Sequence, residues 1–323
     1  MRPRSALLLV LVTTTLTCDG KAGSPDSGAA AAAGEGRHAV EGGRIWYKVS
    51  GAGTATPLFL VHGGPGFSSF YLKSLEELGD ERPIVRYDQL GGGKSDTISD
   101  TTLFTLDRMV RELDRLRAHL GYERVHVLGH SFGATIAVEY YRAHPARVRS
   151  LILGGSTLDA AAYERHLRQL VTTLSDSAQR AIRAREADGN FDAPDYQAAA
   201  SEFNARYLFR QLVQPDADSA FATTNAAMVR YMWGPGEFTV RGTLKSYDAT
   251  PFLRRIAVPT LFTAGESDLV NPDLVRQHAA LTPAARMVVI PGAGHLTTWE
   301  APQETNSIVR EFLRAVDTAA VRP

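Results

Sequence analysis

From Arg44 onward, short apolar runs alternate with amphipathic stretches of helical spacing, and this alternation constrains the fold more than any other feature. Apolar runs bounded by turn signals are typical of strands, and strands that alternate with helices indicate a parallel sheet with crossover helices. The expected strands cover residues 45–49, 57–61, 83–87, 125–128, 148–153, 260–263 and 286–290, and the expected helices cover residues 106–120, 134–143, 272–281 and 302–316. The sequence therefore predicts an α/β fold with a mostly parallel sheet.

The alternation breaks between Leu158 and Tyr247. In this stretch helical segments rich in Ala, Arg and Glu are separated by Gly and Pro, with no convincing strand between them. We interpret residues 158–247 as an inserted helical cap, or lid, and residues 38–157 and 248–318 as the core. The 323 residues are then one domain interrupted by an insertion, although their length alone allows two domains.

The N-terminus has the pattern of a secretory signal. Two arginines precede an apolar run that is too short to span a membrane with confidence, and Cys18 follows this stretch. We expect residues 1–17 to be a signal peptide of the lipoprotein type, Cys18 to be lipidated, and residues 18–37 to be a flexible tether. Thr15 stands where such signals usually carry Leu, so an ordinary signal peptide with an incidental cysteine is the alternative. Both hypotheses predict an exported protein, periplasmic or in the cell envelope, and under the first it meets the membrane only through an N-terminal lipid.

Charge and cysteine content exclude several classes of function. The 35 basic and 35 acidic residues balance, and no block of like charge offers a surface for nucleic acid. The single cysteine forms neither an internal disulfide nor a thiolate metal cluster. We therefore expect no nucleic-acid partner, no metal, and a chemistry that uses oxygen and nitrogen groups.

Residues 129–133, Gly-His-Ser-Phe-Gly, lie between an expected strand and an expected helix. A serine in such a turn has a strained backbone that only small neighbours tolerate, and its hydroxyl projects above the sheet. The pentapeptide alone is a weak signal, but its position identifies Ser131 as the candidate nucleophile. His130, in the same turn, is interpreted as a packing residue or as one that supports the catalytic side chains without touching the substrate.

The base and the acid that a serine nucleophile needs follow the last two strands. Asp268 comes after the second-last strand, and His295 comes after the last one. The chain order of serine, acid and histidine is that of an α/β-hydrolase. We predict a triad of Ser131, Asp268 and His295, with Glu266 or Asp273 as the alternative acid.

Residues 62–66, His-Gly-Gly-Pro-Gly, follow the strand after which an α/β-hydrolase builds its oxyanion hole. Glycines allow the backbone to approach a substrate closely. We expect the N–H groups of Gly64 and Phe132 to converge on the developing alkoxide.

Four motifs resemble those of the proline iminopeptidase (prolyl aminopeptidase) family, and the resemblance spans residues 38–316. The motifs are residues 62–66 (HGGPG), 87–96 (YDQLGGGKSD), 234–238 (GPGEF) and 295–300 (HLTTWE). The resemblance implies a cofactor-free serine peptidase of the α/β-hydrolase fold with a helical cap. Such enzymes release an N-terminal residue, often proline, from short peptides or amides.

The resemblance also implies a role for each matching residue. Ser131 matches the nucleophile, Asp268 the acid and His295 the base, and Glu237 matches a cap carboxylate that holds the substrate's free amine. Leu269 departs from the pattern, because several related peptidases have a second glutamate there. One carboxylate holds an ammonium group less firmly than two do.

The leading hypothesis is an exported serine aminopeptidase that acts on small peptides or amino-acid amides through an acyl-enzyme. An esterase or lactonase with the same triad is the alternative, because such substrates need no ammonium site. A third hypothesis is a lipoprotein that binds peptides without cleaving them. Tyr231, Trp233 and Phe238 either line the substrate pocket or pack within the lid.

Overall fold

An eight-stranded sheet runs through the part of the chain that the structure, a computed structural model, describes: residues 32–210 and 221–321. Its strands are β1 (Gly34–Val40), β2 (Gly43–Ser50), β3 (Leu58–Val61), β4 (Ile84–Tyr87), β5 (Val125–His130), β6 (Val148–Gly154), β7 (Thr260–Gly265) and β8 (Ala285–Ile290). They lie in the order β1-β2-β4-β3-β5-β6-β7-β8. The strand β2 is antiparallel to both of its neighbours, and β3 to β8 are parallel.

The parallel strands are apolar because helices cover both faces of the sheet. In β3, Phe59 and Val61 enter one hydrophobic cluster, and Leu58 and Leu60 enter another. The first cluster includes α1 (Leu106–His119), α2 (Phe132–Ala143) and α8 (Pro272–Leu281); the second includes a run of 3₁₀ turns (Ser69–Asp80) and α10 (Pro302–Val321). The predicted α/β fold is confirmed.

The helix α1 is amphipathic, and its apolar residues recur at helical spacing in the sequence. Thr105 caps its start, because its side chain accepts a hydrogen bond from the backbone N–H of Arg108 at 3.3 Å. The apolar positions Met109, Leu113 and Leu116 are fully buried. The predicted helix is therefore confirmed, and it ends at His119.

An insertion rich in helices lies between β6 and β7. In the described part of the insertion, its helices are α3 (Ala160–Val171), α4 (Asp176–Asp188), α5 (Pro194–Tyr207) and α6 (Ala226–Met232), and the short α7 (Thr250–Leu253) follows where the chain returns to the core. Asp159 and Asp248 form an isolated antiparallel bridge at the base of the insertion. The predicted cap boundaries, 158 and 247, each lie next to this bridge.

The sheet begins earlier than the sequence predicts. Residues 34–37 were assigned to the tether, but β1 starts at Gly34 and pairs along its whole length with β2. Glu35 also accepts a hydrogen bond from Trp46 Nε1 at 3.1 Å. The strand was missed because its side chains are exposed or half-buried and mostly polar. The expected signal peptide and Cys18 lie outside the described residues.

Helices in the described ranges are all too short or too polar to cross a membrane.

Candidate active site

Ser131 occupies a sharp turn between β5 and α2. Its φ of 57° and ψ of −124° make it the one non-glycine residue with a positive φ in the described ranges. A Cβ at Gly133 would lie 2.1 Å from the carbonyl oxygen of Val61, and a Cβ at Gly129 would lie 2.3 Å from that of Gly133. The turn that presents the Ser131 hydroxyl therefore requires both glycines.

His295 and Asp268 meet at the same edge of the sheet, in the loops that follow β8 and β7. His295 Nδ1 lies 2.7 Å from Asp268 Oδ1, and both side chains are buried. The backbone N–H groups of Val270 and Gly265 donate to the same carboxylate at 2.8 and 3.2 Å. Because a carboxylate only accepts, Nδ1 carries the hydrogen and Nε2 is the basic nitrogen. No direct hydrogen bond joins His295 to Ser131 in the described ranges, although both line one cavity.

The alternative acids have other partners. Glu266 Oε2 accepts a hydrogen bond from the N–H of Gly292 at 2.9 Å. Asp273 forms an ion pair with Arg276 one turn along an exposed part of α8. The geometry therefore favours Asp268 as the partner of the candidate base.

Gly64 and Phe132 supply backbone N–H groups beside Ser131. Gly64 has a φ of 126°, and a Cβ there would lie 2.8 Å from the backbone nitrogens of Gly66 and Phe67. Phe132 is the first residue of α2, so its N–H has no partner within the helix. Neither N–H donates to another group in the described ranges. Both are available to a negatively charged oxygen.

A cavity of about 380 Å³ lies between this edge of the sheet and the helical insertion. Ser131, Gly64 and His295 line it from the core. The insertion contributes Tyr163, Tyr196, Asn204, Trp233 and Glu237, among others. The volume lies at the small end of the range for ligand pockets, so it suits a short peptide better than a long chain.

Glu237 presents its side chain to this cavity. The residue is exposed by accessible surface, as a group that lines a cavity can be, while the protein around the carboxyl partly desolvates it and raises its pKa above the ordinary value. The backbone N–H of Glu237 donates to Tyr196 Oη at 2.8 Å and fixes the loop. No cation of the described residues pairs with the carboxylate. A carboxylate in this position favours a cationic ligand.

Leu269 also lines the cavity, directly after Asp268. The position of the second glutamate is therefore apolar in this chain. Of the three aromatic residues considered for the pocket, only Trp233 lines it; Phe238 is fully buried, and Tyr231 is exposed and packs edge-on against Phe104.

Three tyrosines in the cavity wall are not predicted by the sequence. Tyr71 comes from the 3₁₀ run, Tyr163 from α3 and Tyr196 from α5, and none belongs to a motif or follows a strand. All three are buried. An apolar periodicity identifies such residues as core, and only the tertiary structure shows that they reach the cavity.

Comparison with known proteins gives consistent matches. The α/β hydrolase fold family matches residues 56–302. The proline iminopeptidase of Heyndrickxia coagulans is 36% identical over 280 residues, which cover 86% of this chain and 97% of that protein. The crystal structure of proline iminopeptidase from Mycobacterium smegmatis superposes with a TM-score of 0.82 at 30% identity and covers 89% of this chain and all of that one. The crystal structure of VinJ gives the same TM-score at 28% identity, with 88% and 99% of the two chains covered.

Proposed function

The chain belongs to the proline iminopeptidase family of the α/β-hydrolase fold, and on this basis we propose that it is a serine hydrolase that releases N-terminal residues, proline or others, from short peptides or amino-acid amides. The proposed active-site residues are Ser131 as nucleophile, His295 as base and Asp268 as acid. No metal or cofactor takes part in the proposed reaction.

One observation carries the choice of substrate. The carboxylate of Glu237 faces the same cavity as Ser131 and His295, and no cation of the described residues neutralises it. A charge that is partly desolvated in a cavity is stabilised by an opposite charge from a ligand. The free α-ammonium group of a peptide supplies that charge and places the first carbonyl carbon near Ser131.

The proposed reaction starts with attack of Ser131 Oγ on the first carbonyl carbon, while His295 Nε2 takes the hydroxyl proton. Asp268 orients the ring and stabilises the imidazolium that forms. The carbonyl oxygen becomes negative and accepts hydrogen bonds from the N–H groups of Gly64 and Phe132. The C–N bond then breaks, and His295 gives its proton to the leaving amine.

Hydrolysis of the resulting ester on Ser131 completes the reaction. Water attacks the acyl carbon, His295 takes a proton from the water and returns it to Ser131 Oγ, and the free amino acid leaves. We propose that residues 158–247 act as the cap that closes the cavity above Ser131. A closed cavity of this size excludes long polypeptides.

The test uses a pair of substrates that differ only in the α-amine. The purified protein is expected to hydrolyse an amino-acid arylamide with a free amine and not its N-acetylated counterpart. Ser131→Ala is expected to lower kcat by at least about 10³-fold. Binding of peptides without any turnover in the unchanged protein would favour the non-catalytic lipoprotein instead.

A second candidate function is an esterase or lactonase, and Leu269 favours it. With an apolar residue at this position, the ammonium group has one carboxylate partner instead of two. An ester substrate without an amine needs no carboxylate partner. Turnover of simple acyl esters with no turnover of free-amine arylamides would establish this alternative.

We further propose that the protein is exported and anchored to a membrane through lipidated Cys18. The proposal rests on the signal-like pattern of residues 1–17 and on the position of the cysteine directly after it. Cell fractionation tests it. Cys18→Ser is expected to move the protein from the membrane fraction to the soluble fraction, and an unchanged distribution would contradict lipidation.

A further inference from the structure

The hydroxyl of Tyr71 lies between two segments. One is the loop of residues 62–66, called the oxyanion loop below, and the other is the turn that holds Ser131. The backbone N–H of Gly63 donates to Tyr71 Oη at 2.7 Å, and Tyr71 Oη lies 3.0 Å from His130 Nδ1. The Gly63 N–H can only donate, so the hydroxyl oxygen accepts from it. The other ring nitrogen of His130, Nε2, faces a carbonyl oxygen that only accepts, so the neutral ring carries its hydrogen on Nε2 and Nδ1 accepts the hydrogen of Tyr71.

His130 continues the chain of hydrogen bonds. With Nδ1 as acceptor, its hydrogen is on Nε2, which lies 2.9 Å from the carbonyl oxygen of His295 and donates to it. His130 is 4% exposed, and burial, with a smaller effect of His295, lowers its pKa to about 3. The ring is neutral at ordinary pH, so a single proton arrangement satisfies all three hydrogen bonds.

This chain connects three segments that are distant in sequence. Gly63 precedes the oxyanion donor Gly64, His130 precedes the nucleophile Ser131, and His295 is the base. Gly63 lies after β3, His130 is the last residue of β5, and His295 lies after β8. The two side chains thus join the oxyanion loop, the nucleophile and the base through their backbones.

Tyr71 is itself held firmly. It is 1% exposed, and its ring packs edge-on against His130 and Trp299, with centroid distances of 5.1 and 6.2 Å. Its carbonyl oxygen accepts a hydrogen bond from Thr298 Oγ1 at 2.6 Å. Thr298 and Trp299 belong to α9 (Thr297–Glu300), which starts two residues after His295. Two contacts therefore hold the phenol ring against residues 291–300, the segment that carries His295 and is called the base loop below.

We propose that Tyr71 and His130 are positioning residues that fix the oxyanion loop and the base loop relative to Ser131. Neither group has to touch the substrate. Their effect is geometric, because a displacement of about 1 Å at a catalytic group can cost about 10²-fold in rate. The inference rests on the proposed serine-hydrolase function.

Tyr71→Phe removes only the hydroxyl and tests this inference. We expect kcat to fall about 10- to 100-fold, with KM changed less than about threefold, because the oxyanion forms only during the reaction. The affinity of a boronic acid that forms a tetrahedral adduct on Ser131 is expected to fall by a similar factor. The affinity of the free amino-acid product is expected to stay unchanged.

Tyr141→Phe is the matched control. Tyr141 is also buried, and its Oη also accepts a backbone N–H, that of Ala257 at 3.0 Å, but it does not line the cavity. We expect this variant to lose a similar amount of thermal stability and to keep its kcat. Equal kcat values for the two variants, or a rise in KM alone for Tyr71→Phe, would overturn the inference.

A double-mutant cycle of Tyr71 and His130 tests the inference in an independent way. His130→Leu removes the acceptor for Tyr71 together with the donor for the His295 carbonyl. Both single changes break the same Oη–Nδ1 bond, so the double variant is expected to lose much less than the product of the two single losses. A fully multiplicative loss would contradict a shared network.

All variants are assayed on an arylamide and on a simple ester. The result can then be read whichever of the two substrate classes the protein turns over. Activity that survives Ser131→Ala would refute the proposed serine-hydrolase function separately from this inference.

Discussion

At Glu237, the feature that favours binding of a cationic ligand also lowers the stability of the folded protein. A partly desolvated carboxylate without a cation disfavours the folded state at neutral pH, and the proposed function uses the same carboxylate to bind an ammonium group. Tyr196 holds the backbone of Glu237 in this arrangement. A residue that costs stability and faces a cavity is the kind of exception to good packing that a binding site produces.

Glu237→Gln is expected to raise KM, or lower kcat/KM, for free-amine substrates about 10- to 100-fold. The reason is the loss of a charge-assisted hydrogen bond worth about 1.5–3 kcal/mol. Turnover of a simple acyl ester is expected to change less than about threefold. Steady-state kinetics on both substrates measures the difference, and Glu202→Gln, a half-buried residue of α5 that does not line the cavity, is the control. An equal loss on both substrates would remove Glu237 from this role.

The raised pKa of Glu237 also predicts how the variant's stability depends on pH. A carboxyl group whose pKa is higher in the folded than in the unfolded state stabilises the fold at low pH, and this contribution is lost as the pH rises through the folded pKa. Glutamine has no such loss. The Tm of Glu237→Gln relative to the unchanged protein is therefore expected to increase from pH 4 to pH 8. Thermal unfolding across this range tests it, and a constant difference would show that the carboxyl is not desolvated.

At the level of elements, the site depends on how closely α2 packs behind β3. Gly133 lies in the first turn of α2, and the space for its Cβ is already occupied by the carbonyl oxygen of Val61. The contact is with backbone, which cannot turn away as a side chain can. The helix start therefore sets the distance between the Ser131 turn and the oxyanion loop after β3.

Gly133→Ala is expected to lower kcat/KM at least about 100-fold and to destabilise the fold by about 1–3 kcal/mol, because the helix must move away from β3. Gly189→Ala is the matched control. Gly189 ends α4 with a φ of 74° and has nothing within 4 Å of its Cβ position, so it carries backbone strain without a clash. This control is expected to lose some stability and no activity. Full activity in Gly133→Ala would show that the turn tolerates a shifted helix.

Across the whole molecule, the sequence predicts best where the pattern is strong and local. The helix α8 has the predicted bounds, and the α/β fold follows from apolar runs that only a covered parallel sheet explains. The positions of Asp268 and His295 after the last two strands could also be predicted, since parallel strands end at one edge. Tyr71 could not be predicted, because its hydroxyl acts through contacts with segments far away in the sequence.

The strand β1 is the largest local failure, and its cause is physical. It is an edge strand, so one side of it needs no partner and its side chains need little burial. Its residues are held by backbone pairing with β2 and by polar contacts, which leave no apolar period in the sequence. The boundary between tether and core therefore shifted by a few residues.

Two truncations test the position of that boundary. A chain that starts at residue 32 keeps β1 whole, whereas a chain that starts at residue 38 loses the pairing of residues 34–37 with β2, including the hydrogen bond from Trp46 to Glu35. The first is expected to match the Tm of a chain that starts at residue 18. The second is expected to have a lower Tm, since each 1 kcal/mol shifts the Tm of a domain of this size by about 2–4 °C. The activity of both is expected to stay within about twofold at a temperature below the transition, because β1 lies at the edge of the sheet and Ser131 follows the central β5. Equal Tm values for all three chains would mean that residues 34–37 behave as tether.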